Sequence, residues 1–589
     1  MTKETAEVFN CFFSNVVKEL NIEEIIDTEK QRNCESISDP ILRAIKKFED
    51  HPSILKIKQF SLDRPNFSFL HTDSISIVKE IVSLKVSTAS PISNIPPKIM
   101  KENLDIFSVK LTKDFNDAVD KAEFPDNCKL ADITLAHKDN SKMDKSNYRP
   151  VSILPPISKI FERMLYYQIE FFLDNRLSKL QCGFRKGYSA QHCLLLMLEK
   201  WKQAIDKNYC SGALMSDLSK AFDCLNHELM IAKLEAYGFN YKALKLIHAY
   251  LDNRYHRVKV NSDYSSWAII VSGVPQGSII GPLLFNIYLS DLFLSFGESC
   301  IVNYADDTTP YRTDKDINSV INKLEADSIV LIDWIKYNYL KANPDKFHIL
   351  LSNTNNTLSI NVDKFKIYNK GSEKLLGITF DSKLTFNEHV SKLCKKASQK
   401  LHALSRVTHF MNIPHRRMIM KAFINSQFGY CPLVWMLHSR ELNNRINRIQ
   451  ERALRLVYND TISTFDELLV KDGSVRIHVR NIQLLAIEMF KVRNNLSPEI
   501  MKDIFPLKER ELYCSNFPFA TRNVKTVSYG THSLSYLGPK IWSLIPEDLK
   551  NITSINEFKK QIKGWNPSNC PCRICKTYVH GVGFVDIEK

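Results

Sequence analysis

An α+β fold with long helical flanks is what the sequence predicts, on three observations. Between about residues 210 and 381, short apolar runs suited to strands alternate with stretches of helical period. Before about residue 125 and beyond 386 the strand signal fades and amphipathic helices dominate. The composition, 44% hydrophobic and 25% charged with 17 Gly and 23 Pro in 589 residues, is that of a chain able to bury a large core. It excludes collagen-like, disordered and small disulfide-stapled proteins. At roughly 150 residues per domain the length allows about four domains. No internal repeat or low-complexity tract divides the chain further.

The elements follow from local pattern. Residues 137–156 (HKDNSKMDKSNYRPVSILPP) concentrate turn formers and charge and read as a loop, ahead of an amphipathic helix over Lys159 to Leu173. GALMSDL reads as a strand, His227 to Tyr237 as a helix, and HRVKV and SSWAIIVSG as strands. PQGS opens a helix. CIVNY is a strand leading into a polar Asp-Asp turn, residues 314–338 form a long helix, and KFHILL and KLLGITFD are further strands.

Charge is unevenly spread. Lys plus Arg number 80 against 65 Asp plus Glu, a net of +15, which favours a polyanionic partner without naming it. Residues 382–460 hold 14 basic against 4 acidic residues, so most of that excess sits in one helical stretch. Within it Leu442, Ile446, Ile449, Ala453 and Leu456 form an apolar stripe, and Arg445, Arg448, Arg452 and Arg455 form a second stripe beside it. Two readings fit: a solvated outer face, or a helix that tracks phosphates.

The N-terminus is polar before it is apolar, and no uncharged apolar stretch of 18 residues occurs. Neither secretion nor membrane spanning is therefore expected, and an intracellular setting, cytoplasm and nucleus, is. The 14 cysteines read as reduced thiols. Only Cys570, Cys572 and Cys575 cluster; with His580 they could form a zinc site, the alternative being partly exposed thiols in a tail.

The carboxylates carry the chemistry. Asp217 ends the apolar run ALMSD, and Asp306 and Asp307 follow CIVNYA, so each emerges at a strand tip. Each alone fits a solvated turn. Brought together, such groups repel unless divalent cations neutralise them, and Mg²⁺ is the natural guest for hard carboxylate oxygens. Two such ions, with Mn²⁺ able to substitute, suit in-line phosphoryl transfer to a 3′-hydroxyl.

SDLSKAFDCLNH, SGVPQGSIIGPLLFNIYLSDL, NYADDTTPY and KLLGITFD occur in the order of reverse-transcriptase motifs. NYRPVSILPPISKIFERMLYYQI is similar to the fingers motif of that family, and QCGFRKGYSAQHCLL to the segment linking fingers to palm. The chain thus resembles a LINE-type, jockey-like non-LTR retrotransposon reverse transcriptase. The resemblance implies a right-hand polymerase. Residues 1–125 would be a helical extension or connector, 126–385 fingers and palm, 386–470 a basic helical thumb, and 471–589 a C-terminal region with the Cys-rich tail.

By the same resemblance, Asp217 and Asp306 ligate both metals, with Asp307 beside them and the Leu218 carbonyl assisting. Phe222, five residues after Asp217, matches the aromatic wall that leaves no room for a 2′-hydroxyl; a packed core ring is the alternative. Gln276 and Gly277 floor the nucleotide pocket and touch the templating base, Gly273, Gly277 and Gly281 permitting close backbone approach; a tight turn before a helix is the alternative. Tyr304 and Ala305 border primer end and nucleotide. Arg149 clamps the triphosphate, helped by Lys138, although LAHKDN carries one Lys where relatives often carry a pair. Lys346 matches the Lys that protonates or neutralises departing pyrophosphate, an exposed Lys before a strand being the other reading. Asp223 has no catalytic counterpart and reads as a solvated or locally capping residue before the His227 helix.

The implied partners are an RNA template, a DNA primer and deoxynucleoside triphosphates, the thumb helices gripping the duplex through phosphates in a salt-sensitive way. Relatives commonly carry an upstream endonuclease, and TAEVFNCFFSNVVKEL resembles the connector that follows it; two readings stay open, a truncated element or gene fragment, or nicking supplied by a separate endonuclease. The oligomeric state is open. A catalytically inactive or domesticated relative that binds RNA is the rival reading, and Phe222 disfavours an RNA-templated RNA polymerase.

Overall fold

A computed structural model describes residues 2–20, 36–60, 66–88, 90–91, 95–138, 141–296, 301–343, 346–354, 358–508, 518–567, 569–579 and 583–586. Helices and sheets are mixed. The strands of the two larger sheets are, in chain order, β1 (Leu130–His137), β2 (Tyr148–Ile153), β3 (Cys210–Met215), β4 (Arg254–Val260), β5 (Asp263–Tyr264), β6 (Ala268–Ile270), β7 (Ile301–Tyr304), β8 (Asp307–Asp314) and β9 (His348–Ser352). The helices used below are α1 (Thr2–Glu19), α2 (Pro156–Leu173), α3 (Ala190–Asp206), α4 (His227–Ala236), α5 (Gly281–Leu289), α6 (Ile317–Tyr337), α7 (Arg440–Tyr458) and α8 (Ile477–Arg493). Two compact units emerge: Met1–Phe184, Asp217–Glu298 and Ile329–Asp345 form one, and Arg185–Ser216, Ser299–Ser328 and Lys346–Lys589 the other.

The first unit holds a five-stranded sheet ordered β2-β1-β4-β5, with β6 also paired to β4. β1 runs antiparallel to β2, from Asp132 opposite Ile153 to His137 opposite Tyr148, and parallel to β4. Part of the loop expected over 137–156 is therefore a strand. β2 is the sheet's edge, where Pro150 can stand opposite Leu135 without leaving an inner ladder short of a donor. The helical character expected of the N-terminal segment is borne out. α1 seals one face of the sheet, its Phe9 buried with Ile133 and Val258, and its Asn10 amide donating to the Ser266 carbonyl at 3.0 Å.

An ion pair lies at the centre of this unit. Lys233 of α4 and Asp291, just beyond α5, have side chains with 0% exposure and meet at 2.5 Å. Lys233 also donates to the Tyr288 carbonyl at 2.6 Å, and the Trp334 indole N–H donates to the other Asp291 oxygen at 2.6 Å. The Tyr288 hydroxyl donates to the Asn338 carbonyl at 2.7 Å, and the Asn338 amide reaches Ser53 Oγ at 3.2 Å. Every charge is thus paired and hydrogen-bonded, the condition under which buried ions are tolerated. The local signal is weak: α4 reads LMIAKLEA, a helix apolar nearly all round with one Lys.

The second unit holds an antiparallel sheet ordered β7-β8-β3-β9. All six residues of β3 are buried. KLLGITFD, expected as one strand, is a hairpin: Ser372–Leu375 pairs with Ile378–Asp381 around a turn at Leu376 and Gly377, both with positive φ. Helices dominate beyond Asn387, as expected.

Replacing Lys233 by Met alone leaves Asp291 charged and unpaired in the core. Chemical denaturation should show a loss of about 3–5 kcal/mol. The Lys233→Met, Asp291→Leu double variant should recover most of that loss.

Candidate active site

In the second unit the acidic turn is built by strand register. Tyr304 pairs with Asp307, which leaves Ala305 and Asp306 as a two-residue turn at the tip of the β7–β8 hairpin. Ala305 takes a left-handed φ of 58°, a strained choice for a residue with a Cβ. Asn303 holds it there. This residue is buried, and its side-chain amide donates to the Ala305 carbonyl at 2.8 Å, to Thr308 Oγ1 at 2.9 Å and to the Asp307 carbonyl at 3.3 Å. Alongside, β3 ends at Met215 and the next residue, Ser216, still pairs with Thr308: its N–H donates to the Thr308 carbonyl at 3.1 Å and its hydroxyl to the same oxygen at 2.7 Å. The end of β3 and the Asp306 turn therefore share one edge of the sheet, and Asp217 is the next residue in the chain.

Tyr430 stands at the same edge within this unit. Its hydroxyl donates to the Leu376 carbonyl at 2.8 Å, and its ring lies 3.2 Å from where a Cβ on Gly377 would stand. Burial and the neighbouring Cys431 thiol push its pKa above the usual phenol range, with smaller contributions from Tyr304 and Asp307. Sequence reasoning passed over both Asn303 and Tyr430. Lys346 is exposed, two residues before β9.

In the first unit, the segment after Asp217 pairs with the chain near Ala342. The Asn343 N–H donates to the Asp217 carbonyl at 3.2 Å and the Ser219 N–H to the Lys341 carbonyl at 2.9 Å, with Leu218 opposite Ala342. That alternation turns the Leu218 carbonyl away from the Lys341–Asn343 segment. Phe222 is half-buried and stacks on Phe285 of α5, ring centroids 4.3 Å apart and planes 22° apart.

Asp223 is half-buried and is not a cap, contrary to the reading of it as a solvated or capping residue. Its carboxylate accepts from the Gln276 amide at 2.9 Å, burial raises its pKa, and the cap of α4 is Asn226. PQGS is a turn, and α5 begins only at Gly281. Two glycines in this stretch are dictated by contact. At Gly273 (φ +78°) a Cβ would lie 2.6 Å from the Phe222 and Asp223 carbonyl oxygens, and at Gly277 (φ +131°) 2.5 Å from the Ser152 carbonyl oxygen. Main-chain bonds complete the seam, from Val274 N–H to the Phe222 carbonyl at 3.0 Å and from Ser152 N–H to the Gln276 carbonyl at 2.8 Å.

At the start of α5 the Gly281 N–H donates to Ser278 Oγ at 3.1 Å. Just ahead of it Glu162 of α2, fully buried, accepts from Ile279 N–H at 2.6 Å and Ile280 N–H at 3.3 Å. Burial raises the Glu162 pKa, opposed by the Arg254 charge and those N–H groups.

Arg149 is exposed on β2 opposite Ala136, and Lys138, two residues past Ala136 and just beyond the end of β1, continues the pairing, its N–H donating to the Asn147 carbonyl at 2.8 Å. Strand alternation places both cations on one face of the β1–β2 ribbon.

α7 carries the expected stripe: Leu442, Ile446, Ile449 and Ala453 are buried, while Leu456 is only half so. Arg445, Arg448 and Arg452 are exposed. Arg455 is half-buried and tied to Glu451 at 2.7 Å and to the Asp460 carbonyl at 3.3 Å. Cys570, Cys572 and Cys575 come together with His478 of α8. His580 lies outside the described residues. Among the described residues no helix is long and apolar enough to cross a membrane.

Comparison with known proteins adds three findings. Residues 137–380 match the reverse transcriptase (RNA-dependent DNA polymerase) family. The chain is 26% identical over 476 residues to the RNA-directed DNA polymerase assigned to transposon BS of Drosophila melanogaster, covering 78% of this chain and 50% of that protein. It is 26% identical over 359 residues to the RNA-directed DNA polymerase of the mobile element jockey from the same organism, covering 58% and 39%. The chain thus spans half or less of the length of these relatives.

Removing the Asn303 side chain (Asn303→Ala) deletes the group that pins Ala305. Stability should fall by about 1–3 kcal/mol. Amide hydrogen exchange should accelerate at residues 305–308 more than in the rest of β8; uniform exchange would refute the pinning role.

Proposed function

Because residues 137–380 belong to the reverse transcriptase family, and the chain is a relative of the jockey-like, LINE-type (non-LTR) retrotransposon polymerases, we propose that it extends a primer 3′-hydroxyl with deoxynucleotides on an RNA template. The observation that carries the reading is the Ala305–Asp306 turn, with Asp307 opening β8 beside it, set by β7–β8 register at the sheet edge where β3 also ends. Carboxylates at strand tips are the hard oxygen donors that Mg²⁺ or Mn²⁺ takes. Asp217, Asp306 and Asp307 would hold two such ions, the Leu218 carbonyl assisting. Bound there, the metal supplies charge neutralisation and Lewis-acid activation for in-line phosphoryl transfer.

The chain's own groups have separate tasks. Arg149 and Lys138, sharing one face of the β1–β2 ribbon, neutralise and orient the triphosphate of the incoming nucleotide. Phe222, backed by Phe285, lies under the sugar and excludes a 2′-hydroxyl. The Gln276–Gly277 turn, held against Asp223 and Ser152, floors the pocket. Tyr304 and Ala305 border the primer end, and Lys346 neutralises the departing pyrophosphate. Fingers and palm would occupy residues 126–385 and a thumb 386–470, where Arg445, Arg448 and Arg452 face the duplex phosphates and Arg455 orders the helix end. RNA template, DNA primer and deoxynucleotides are then the partners.

Primer extension on poly(rA) with oligo(dT) tests the reading. The wild-type chain should incorporate thymidylate, and Asp306→Ala should cut incorporation by more than about 100-fold, since even groups behind a metal ligand are worth 10–100-fold. Retained duplex binding by the variant would localise the loss to chemistry. Binding without extension by the wild type would instead favour the RNA-binding reading.

Phe222→Val opens the sugar wall. The ratio of ribonucleotide to deoxynucleotide incorporation should rise at least about tenfold, the worth of roughly 1.4 kcal/mol of lost discrimination. Unchanged sugar discrimination would return Phe222 to the core.

A further inference from the structure

We propose that the second unit holds one structural zinc ion on His478, Cys570, Cys572 and Cys575, with His478 of α8 supplying the nitrogen. The inference does not depend on the polymerase reading. It rests first on geometry: one ligand atom from each of the four residues lies within 4.8 Å of every other. A tetrahedral zinc with sulfur at about 2.3 Å and nitrogen at about 2.0 Å needs ligand atoms roughly 3.5–3.8 Å apart. The four donors are therefore gathered to within about 1 Å of a closed site, and small side-chain rotations complete it.

The second observation is the imidazole itself. His478 is buried at 4% exposure, its Nε2 stands 3.1 Å from Cys572 Sγ, and its Nδ1 has no hydrogen-bond partner. Burying a polar ring that meets the thiols of Cys572 and Cys575 while its Nδ1 stays unsatisfied has a cost that packing does not explain. A metal at the sulfur cluster explains it. Cys570 and Cys572 are buried at 1% and 2% exposure, Cys575 is half-buried, and all three are free thiols. The backbone draws two of them together, since the N–H groups of Cys575 and Lys576 both donate to the Cys572 carbonyl, at 3.1 and 2.9 Å.

Three sulfurs and one imidazole form a set that favours zinc over the hard cations, which take oxygen. With four protein ligands and no open position, the site is structural.

Its mechanical role follows from what surrounds it. Arg573, inside the cysteine loop, donates to the carbonyls of Leu437 and, at 2.9 Å, His438. The next residue, Ser439, caps α7. Gln483 of α8 donates to the Trp565 carbonyl at 2.8 Å. Zinc would thus staple a stretch with little regular structure to α8 and, through Arg573, fix the root of the basic helix α7.

The test uses the full chain purified under reducing conditions, with zinc measured by elemental analysis and the site probed by cobalt(II) substitution. The wild type should carry one zinc ion per chain, and its cobalt form should show the visible bands of a tetrahedral thiolate site. Chelation should lower the melting temperature and speed amide exchange at the start of α7. Cys572→Ser and His478→Ala should lose the metal, and His580→Ala should keep it. His478→Cys, which offers a four-thiolate set, should keep zinc and shift the cobalt spectrum; this variant decides the matter if His478→Ala does not fold. A wild type without zinc, a disulfide among the three cysteines, zinc kept by His478→Ala, or a folded, zinc-free His478→Cys would each overturn the proposal.

Discussion

The buried pair of Lys233 and Asp291 is the constraint on which the first unit depends. Lys233 lies in α4, which follows the segment from Asp217 to Asn226, and Asp291 follows α5, which the Gln276–Gly277 turn precedes. Trp334 adds α6 to the same cluster. Both loops that carry candidate nucleotide contacts thus lead into helices locked at their far ends by one network. A greasy contact could slide by a turn of helix at small cost. An ion pair with no access to water cannot, because each charge would lose a partner worth several kcal/mol. The pair fixes register, and Phe222 stacked on Phe285 inherits that register.

Close backbone approach is the second device. The seam from Phe222 to Val274 and from Gln276 to Ser152 runs through main-chain hydrogen bonds and two glycines where no Cβ fits. It joins the edge strand β2, the turn before α5 and the segment after Asp217 into one surface. The Gln276 side chain is also occupied, donating to Asp223. In the second unit, register does the corresponding work: a two-residue turn permits one placement of Asp306, and Asn303 removes the remaining freedom of Ala305.

What the sequence revealed is what local period encodes. The α7 stripe shows itself within 15 residues because its apolar positions recur every three or four. The Asp306 turn shows itself because an apolar strand stops abruptly at charge. β2 was hidden because Tyr148–Ile153 includes a Pro and follows a run of turn formers, and only its pairing with β1 makes it a strand. Asp223 was misread because its partner, Gln276, is 53 residues away. His478 was invisible for the same reason, since it reaches Cys572 across 94 residues while His580 stands nearby in the chain. Local signals indicate where strands end. They do not indicate which distant polar group meets them.

The C-terminal region illustrates the same point at larger scale, and its role follows from charge burial. α3 is buried along nearly its whole length, yet it carries Glu199, Lys202 and Asp206 at 1%, 4% and 5% exposure. Their partners are main-chain groups more than 300 residues later. Glu199 accepts from Leu534 and Ser535 N–H at 2.8 and 3.0 Å, at the start of a helix that lacks its own side-chain cap. Lys202 donates to the His532 carbonyl at 2.7 Å, and burial pulls its pKa down to about 8. Asp206 accepts from Lys525 and Thr526 N–H at 3.1 and 2.7 Å. Without residues 525–535 these three side chains would lose those main-chain partners, the last of them, Asp206, only four residues ahead of β3. The helix that leads into β3 therefore depends on the C-terminal region for the partners of its buried charges, so within this unit the region completes the core and is not an appendage to a finished domain.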